Sequence, residues 1–187
     1  MTDPDSTSLR GKLLIASPAL MDPNFRRTVI LVAEHGEEGA MGLVLNHESE
    51  ATVGEAVPDL AQVTDADASI DVGGPVAGEG VVVLCDFEDP SDAGLVVFES
   101  IGLPAVDVDL GTLATEVRRT RVFAGHAGWG PGQLEAELEG ESWVVENPLP
   151  EDVFPEDPGI DLWAALWRRK GGSYELLASM PFDPSLN

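Results

Sequence analysis

Five stretches of this chain are apolar without interruption over the length of a β-strand. They are KLLIAS (12–17), TVILVAE (28–34), AMGLVLN (40–46), GVVVLCD (80–86) and GLVVFES (94–100). A strand with one wet face alternates apolar and polar residues. A continuous apolar run is the pattern of a strand covered on both faces. The chain should therefore hold a sheet inside and helices outside. The helical segments do not alternate regularly with the strands, which argues for an α+β fold rather than a doubly wound parallel sheet. With 187 residues and 43% hydrophobic content, one domain is expected. A globule of this size buries roughly 70% of its extended-chain surface, so its core needs no covalent staples. Residues 1–10 read as a polar tail and residues 11–187 as the single domain.

Local signals fill in the rest. HGEEG (35–39) separates two apolar runs, which predicts a hairpin with a glycine-containing loop. His35 then lies at the turn and His47 at the far end of the ladder, too far apart to share a metal. TVGEAVPDL (52–60) has Thr52 and Glu55 in capping-box spacing, which predicts a short helix. DLGTLATEVRR (109–119) reads as a helix, TRVFAGH (120–126) as a strand and PGQLEAELEG (131–140) as a helix stopped by Gly140. SIDVGG (69–74) and SWVVEN (142–147) read as strands. IDLWAALWRRK (160–170) reads as a helix whose Leu162, Trp163, Leu166 and Trp167 form a core stripe. YELLASM (174–180) reads as a final strand.

Charge narrows the function classes. Lys and Arg number 10 against 34 Asp and Glu, a formal net charge of −24. Nucleic-acid binding works by neutralising phosphates, and a chain this acidic is repelled by them at long range. Direct nucleic-acid binding is not expected. Arg26–Arg27, Arg118–Arg119 and Arg168–Arg169–Lys170 each fall where a helix or turn is predicted to end. Cations there offset the helix dipole at roughly 0.3–1 kcal/mol each, which explains them without a ligand. The start, MTDPDSTSLRGK, does not read as a secretory signal, and the apolar runs fall short of the ~18 residues of a membrane span. A single cysteine, Cys85, excludes an intramolecular disulfide and suits a reducing compartment. A cytoplasmic protein without membrane association is expected.

No catalytic constellation assembles from the sequence. GHAGWG (125–130) is neither a dinucleotide fingerprint nor a P-loop. Its glycines suit a strand-to-helix corner, with Trp129 covering the core where the chain turns. His126 has no nucleophile elbow nearby. Cys85 ends an apolar run beside Asp86, whose charge should raise its pKa, so an inert thiol is expected. The acidic stretches at 64–71 and 150–161 lack the spacing of a calcium loop. No catalytic, cofactor-binding or metal-binding residue set is assigned, and no cofactor is expected.

Four blocks taken together carry a resemblance: GKLLIASPALMDPNFRRTVILVAEHGEEGAMGLVLNH (11–47), VGGPV (72–76), RVFAGHAGWGPGQLEAEL (121–138), and SWVV with the later LWAALW helix. The chain resembles the YqgE/AlgH family of small bacterial proteins from Gly11 to about Pro181. The resemblance implies an α+β fold: a small closed β-barrel with a branching, mostly antiparallel sheet surrounded by helices. It implies a transcriptional regulator, acting indirectly through a protein partner or small ligand, and brings no catalytic residues with it. The chain departs from the family pattern at Cys85, where His is common, and at His126, where Tyr is common. An enzyme is therefore not the leading expectation. Two other functions are carried: a small-molecule or nucleotide-binding protein with hydrolase activity, and a structural or assembly module. A ligand or partner site is expected at the corner formed by Asn46, Gly73, Gly74, Pro75, His126 and Trp129. Oligomeric state and ligand identity are left open.

Overall fold

A computed structural model of the chain describes residues 8–157 and 159–181. Of the expected tail, residues 1–7 lie outside the described residues, as do residues 182–187 of the expected domain. Ten strands form the interior: β1 (Leu13–Ala16), β2 (Val29–Gly36), β3 (Gly39–Val44), β4 (Glu48–Thr52), β5 (Ser69–Val72), β6 (Val76–Phe87), β7 (Leu95–Phe98), β8 (Ile101–Leu103), β9 (Val117–Trp129) and β10 (Trp143–Glu146). Six short helices accompany them: α1 (Val53–Ala56), α2 (Leu110–Glu116), α3 (Gln133–Glu139), α4 (Pro150–Val153), α5 (Leu162–Lys170) and α6 (Tyr174–Ala178).

The main path of the sheet runs β10-β1-β2-β3-β9-β6-β8-β7, and β5 joins β9 off this path. The β5–β9 pair is parallel, and the other ladders are antiparallel. The first two apolar runs do lie between covering layers, since all four residues of β1 and the first five of β2 are buried, whereas in β7, within the run at 94–100, only Val97 is buried and Val96 is exposed. The hairpin is as expected. Ile30 opposes Val44 and His35 opposes Ala40, so His35 sits beside the turn and His47 beyond the other end.

The expected closed barrel is not what forms. The path ends on β10 at one side and β7 at the other, and among the described residues no ladder joins them. The β7 side does curl back: β2 and β7 touch, and a Cβ placed on Gly11 would lie 2.5 Å from the Val97 carbonyl oxygen. The main chains meet there through contact rather than through a ladder, so the sheet stays open.

Strand β9 differs most from expectation. The helix predicted over 109–119 ends at Glu116, and from Val117 the chain is extended for thirteen residues. The predicted corner at 125–130 is therefore mostly strand. What happens there is a change of partner. On one edge, β9 pairs with β6 from Val117 to His126. On the other, Phe123 and Ala124 pair with β5, whereas Ala127, Gly128 and Trp129 pair with β3. The switch falls at Gly125, whose φ of +73° is in the left-handed region that glycine adopts without strain. The sheet forks at this point.

The last predicted strand, YELLASM, is helix α6. Gly171 and Gly172 reverse the chain at positive φ, and the Tyr174 ring stacks on Trp167 at 5.4 Å. A short apolar run does not distinguish strand from helix by period, and Glu, Leu and Ala favour a helix once a neighbouring helix offers a surface. Trp163 and Trp167 are buried, as the stripe on α5 predicts. The Trp163 indole N–H donates to the Ala16 carbonyl at 2.8 Å, which ties α5 to β1. Arg27 does not close a helix. Its guanidinium lies 4.1 Å from the Trp163 ring centroid, pairs with Asp161 at 2.9 Å and donates to the Met180 carbonyl.

Trp163→Phe keeps an aromatic ring in this place but leaves the Ala16 carbonyl without its donor. The expected loss is about 1–3 kcal/mol. It should appear in urea unfolding as a lower midpoint with an unchanged slope.

Candidate functional site

A cleft of about 850 Å³ opens on the side of β9 where β5 and β3 part. Its walls come from the residues just past β3 (Leu45, Asn46), from β5 (Ser69, Asp71), from the segment after α4 (Phe154–Glu156), and from consecutive residues of β9, Arg118 to Val122. Leu45, Val53, Val122 and Ile160 supply apolar surface. Three of the eight arginines in this acidic chain line it.

The strand geometry explains why. Arg119 and Arg121 are two residues apart on β9 and so share a face. Arg118 would point away, but the ladder slips beside it. Asp86 opposes Arg119, and Phe87 opposes Val117, so β9 carries one extra residue, Arg118. Such a bulge re-aims a side chain. Both arginines thereby reach one carboxylate: Arg118 Nη1 donates to Asp86 Oδ1 at 3.0 Å, and Arg119 Nη2 donates to Asp86 Oδ2 at 2.6 Å. Ser100 adds a hydroxyl donor at 2.7 Å. Burial pushes the Asp86 carboxyl up, but the hydrogen bonds from Arg119 and Ser100 and the charges of both arginines outweigh it and hold it below the ordinary value. Asp86 therefore stays ionised behind the pair. The Arg119 guanidinium lies 4.7 Å from the Phe154 ring centroid, and Arg118 also donates to Glu88.

Arg121 is deeper. It donates to Asp71 Oδ2 at 3.0 Å, to the Val153 carbonyl at 2.7 Å and to the Leu45 carbonyl at 2.8 Å. Burial nevertheless dominates at Asp71. It outweighs the Arg121 charge and hydrogen bond, nearby Glu48 adds to it, and the carboxyl is raised from 3.8 to about 6. Asp71 thus changes charge near neutral pH, inside the cleft.

Of the corner named from the sequence, only Asn46 lines this cleft. Its amide closes the hairpin end: Oδ1 accepts from Val29 N and Nδ2 donates to the Arg27 carbonyl. Gly73, Gly74 and Pro75 cross above the fork, where Gly73 N donates to the Ala124 carbonyl and Val44 N to the Gly73 carbonyl. A Cβ on Gly74, at φ +152°, would sit 2.2 Å from the His126 carbonyl carbon. His126 is on β9 opposite Val76. Trp129 is buried and stacks against Phe25, and its indole N–H donates to Glu137 beside that of Trp143.

The arginine row is hidden in the sequence because E-V-R-R also reads as the end of a helix. The signal was present in R-x-R-V-F, where two arginines at strand spacing run into two buried strand residues. Arg118 and Arg119 are thus not helix-end cations, whereas Arg168–Lys170 do close α5. His35 is not free either: Nδ1 accepts from Leu9 N at 3.0 Å and Nε2 lies 2.8 Å from Glu135 Oε1. Cys85 is fully buried and raised to about 12, by burial rather than by Asp86. Among the described residues no cluster of three or more His, Cys, Asp or Glu could hold a metal, and no helix is long and apolar enough to cross a membrane.

Asp71 gives the fold a pH signature. Its folded value lies above its unfolded one, so the folded chain binds this proton more tightly between about pH 4 and pH 6. Stability from this group is therefore present below that window and lost as pH rises through it. Asp71→Asn cannot titrate. The stability of the native chain relative to this variant should fall by on the order of 3 kcal/mol across the window. Urea midpoints of both proteins at stepped pH measure it, and a flat difference would refute the raised value.

Comparison with known proteins accords with the fold and the blocks that build it. The chain matches the AlgH-like family over residues 13–175. It is 42% identical over 190 residues to a UPF0301 protein of Streptomyces coelicolor, covering 97% of this chain and 96% of the relative. It is 38% identical over 182 residues to a UPF0301 protein of Mycolicibacterium smegmatis, covering 95% and 90%. Among solved structures, a Corynebacterium diphtheriae protein superposes with a TM-score of 0.82 at 28% identity, covering 91% of each chain. The solution structure of AlgH from Pseudomonas aeruginosa superposes with a TM-score of 0.67 at 30% identity, covering 97% of this chain and 98% of that one. With a family match over residues 13–175 and nine-tenths or more of its length shared with each of these relatives, the chain belongs to the AlgH-like family of UPF0301 proteins.

Proposed function

We propose that this protein is a ligand-responsive binding protein of the cytoplasm. In this reading a small molecule enters the cleft along β9, and the loaded protein acts on transcription indirectly, through a protein partner. One observation carries it: a cleft of about 850 Å³ lies within the size range of small-molecule sites and combines apolar walls with a few convergent polar groups. The acidic surface keeps nucleic acid out of the scheme, because the arginines that gather here already face carboxylates. The glycine corner at Gly73, Gly74, Pro75, His126 and Trp129 serves this reading as the frame of the cleft, and Asn46 as part of its wall.

A second reading, a hydrolase, has one observation in its favour. Asp71 titrates at about 6 within the cleft, a suitable value for a general base. Its Oδ2 is occupied by Arg121, so Oδ1 would have to take the proton.

A thermal-shift screen of small metabolites tests both. A ligand at a hundred times its Kd stabilises a fold by about 2.7 kcal/mol. Ala68→Trp, which places a large ring at the cleft wall, should abolish the shift while leaving the unliganded protein folded. A ligand shift that survives Ala68→Trp would place the site elsewhere and overturn the cleft reading. Turnover of any hit, lost in Asp71→Asn, would favour the hydrolase. A partner captured equally well by the native chain and by Ala68→Trp, with or without the hit, would favour a structural module.

A further inference from the structure

Arg118 and Arg119 are held in an unusual way for cleft residues. A guanidinium has five N–H groups. Arg119 uses Nε and Nη2 on Asp86 Oδ2 and one Nη1 hydrogen on the Phe154 carbonyl. Arg118 uses Nε on Glu88, Nη1 on Asp86 Oδ1 and Nη2 on the Glu88 carbonyl. Among the described residues, these bonds leave two N–H groups on each arginine for other partners. The anchor they share lies behind: the Asp86 side chain is 5% exposed, while those of Arg118 and Arg119 are 41% and 44% exposed. Phe154 underlies Arg119 and limits how far its fork can swing.

We propose that the Arg118–Arg119 pair is an oxyanion seat, and that the ligand of the cleft is a small molecule with one compact phosphate or carboxylate group and an apolar body. The inference rests on the ligand-binding reading above and names the chemistry of its ligand. Asp86 and Glu88 together balance the charge of the two guanidiniums, so what the pair offers the cleft is its unused N–H donors. Glu88, the other carboxylate on Arg118, is 60% exposed and screened by water. Two fixed planar forks match the oxygens of a phosphate or carboxylate, and their order is established before the ligand arrives. Apolar Val53, Val122 and Ile160 line the same cleft and would cover the ligand's body. Glu48, Asp65 and Glu156 also line it. Those carboxylates repel an extended polyanion, which selects a single compact anionic group over a nucleic-acid strand.

The test uses the full chain and three probes of similar size: phenyl phosphate, benzoate and neutral benzyl alcohol. Nitrogen–proton NMR follows the Arg118 and Arg119 Nε–H signals and the amides of the cleft. One or both anionic probes should shift the two Nε–H signals saturably and bind at least roughly tenfold more tightly than benzyl alcohol. The tighter of the two tells phosphate from carboxylate. Arg119→Gln should weaken the anion by roughly tenfold, while Arg168→Gln, exposed on α5, should change nothing. Should Arg119→Gln not fold, Arg119→Lys keeps the charge and removes the fork, and a loss of several-fold is expected. Benzyl alcohol binding the cleft as tightly as both anions would overturn the oxyanion seat and leave the ligand-binding reading standing. If none of the three shifts a cleft signal, both fall.

Discussion

The guanidinium of Arg121 joins parts of the chain that are far apart in sequence: Asp71 on β5, the Leu45 carbonyl just past β3 and the Val153 carbonyl at the end of α4. It lies on the strand that pairs with β3, β5 and β6, just before the residues that pair with β5, Phe123 and Ala124. Two carbonyls and a carboxylate face one another there without a ladder to satisfy them. A buried carbonyl without a donor costs about 1–3 kcal/mol, and a buried carboxylate without a cation costs more. Arginine alone among side chains offers enough donors in one plane to meet all three. Its attraction to Asp71 does not fully repay the burial, as the raised value of that carboxyl shows. The group is held because the fork needs it, at some expense to the stability of the charged form.

The same logic governs the few cations elsewhere. In a chain of net charge −24, a basic side chain used only for solubility would be wasted. Arg27 bridges Asp161 and the Trp163 ring, Arg169 pairs with Asp152, and Lys170 pairs with Glu146. Each connects a loop or helix to the sheet or to another helix. The strong repulsion of the surface is thus offset where segments converge. It persists outside, where like charge repels polyanions at long range. An arginine pair that retains donors in a cleft is an exception within this allocation, which is why the cleft, rather than a surface patch, is the place to look for a ligand.

The parts of the structure that were legible are those where one period dominates. The β2–β3 hairpin follows from two apolar runs around HGEEG, and the α5 stripe follows from Leu162, Trp163, Leu166 and Trp167. Family resemblance carried the overall class but not the closure, because whether β7 meets β10 depends on curvature summed over the sheet. The errors cluster on β9. Leu110–Glu116 is helical and Val117–Trp129 is extended, with no Gly or Pro at the joint. A tertiary fact, the β6 strand waiting alongside, ends the helix at Val117. The arginine row is hidden for the same reason, since residues that close a helix do not line up on a strand face. YELLASM failed for the opposite reason: its residues suit both states, and contact with α5 decides.

The glycine-rich stretch and the cleft are consequences of one another. For β9 to pass from β5 to β3 along the same edge, the β5 chain must leave at Gly73–Gly74 and cross directly over Gly125 and His126. The approach is so close that a Cβ on Gly73 would lie 2.3 Å from the Gly125 carbonyl oxygen. Side chains are excluded from the crossing, so the divergence of β3 and β5 begins abruptly. Beyond it, Leu45 and Asp71 are spanned by the Arg121 side chain instead of being joined strand to strand. The open wedge that results is the cleft. A bulkier crossing would separate the strands earlier and widen it, while a continuous β3–β9 ladder would close it. The glycines therefore shape the cleft without lining it: they set how far apart its walls begin.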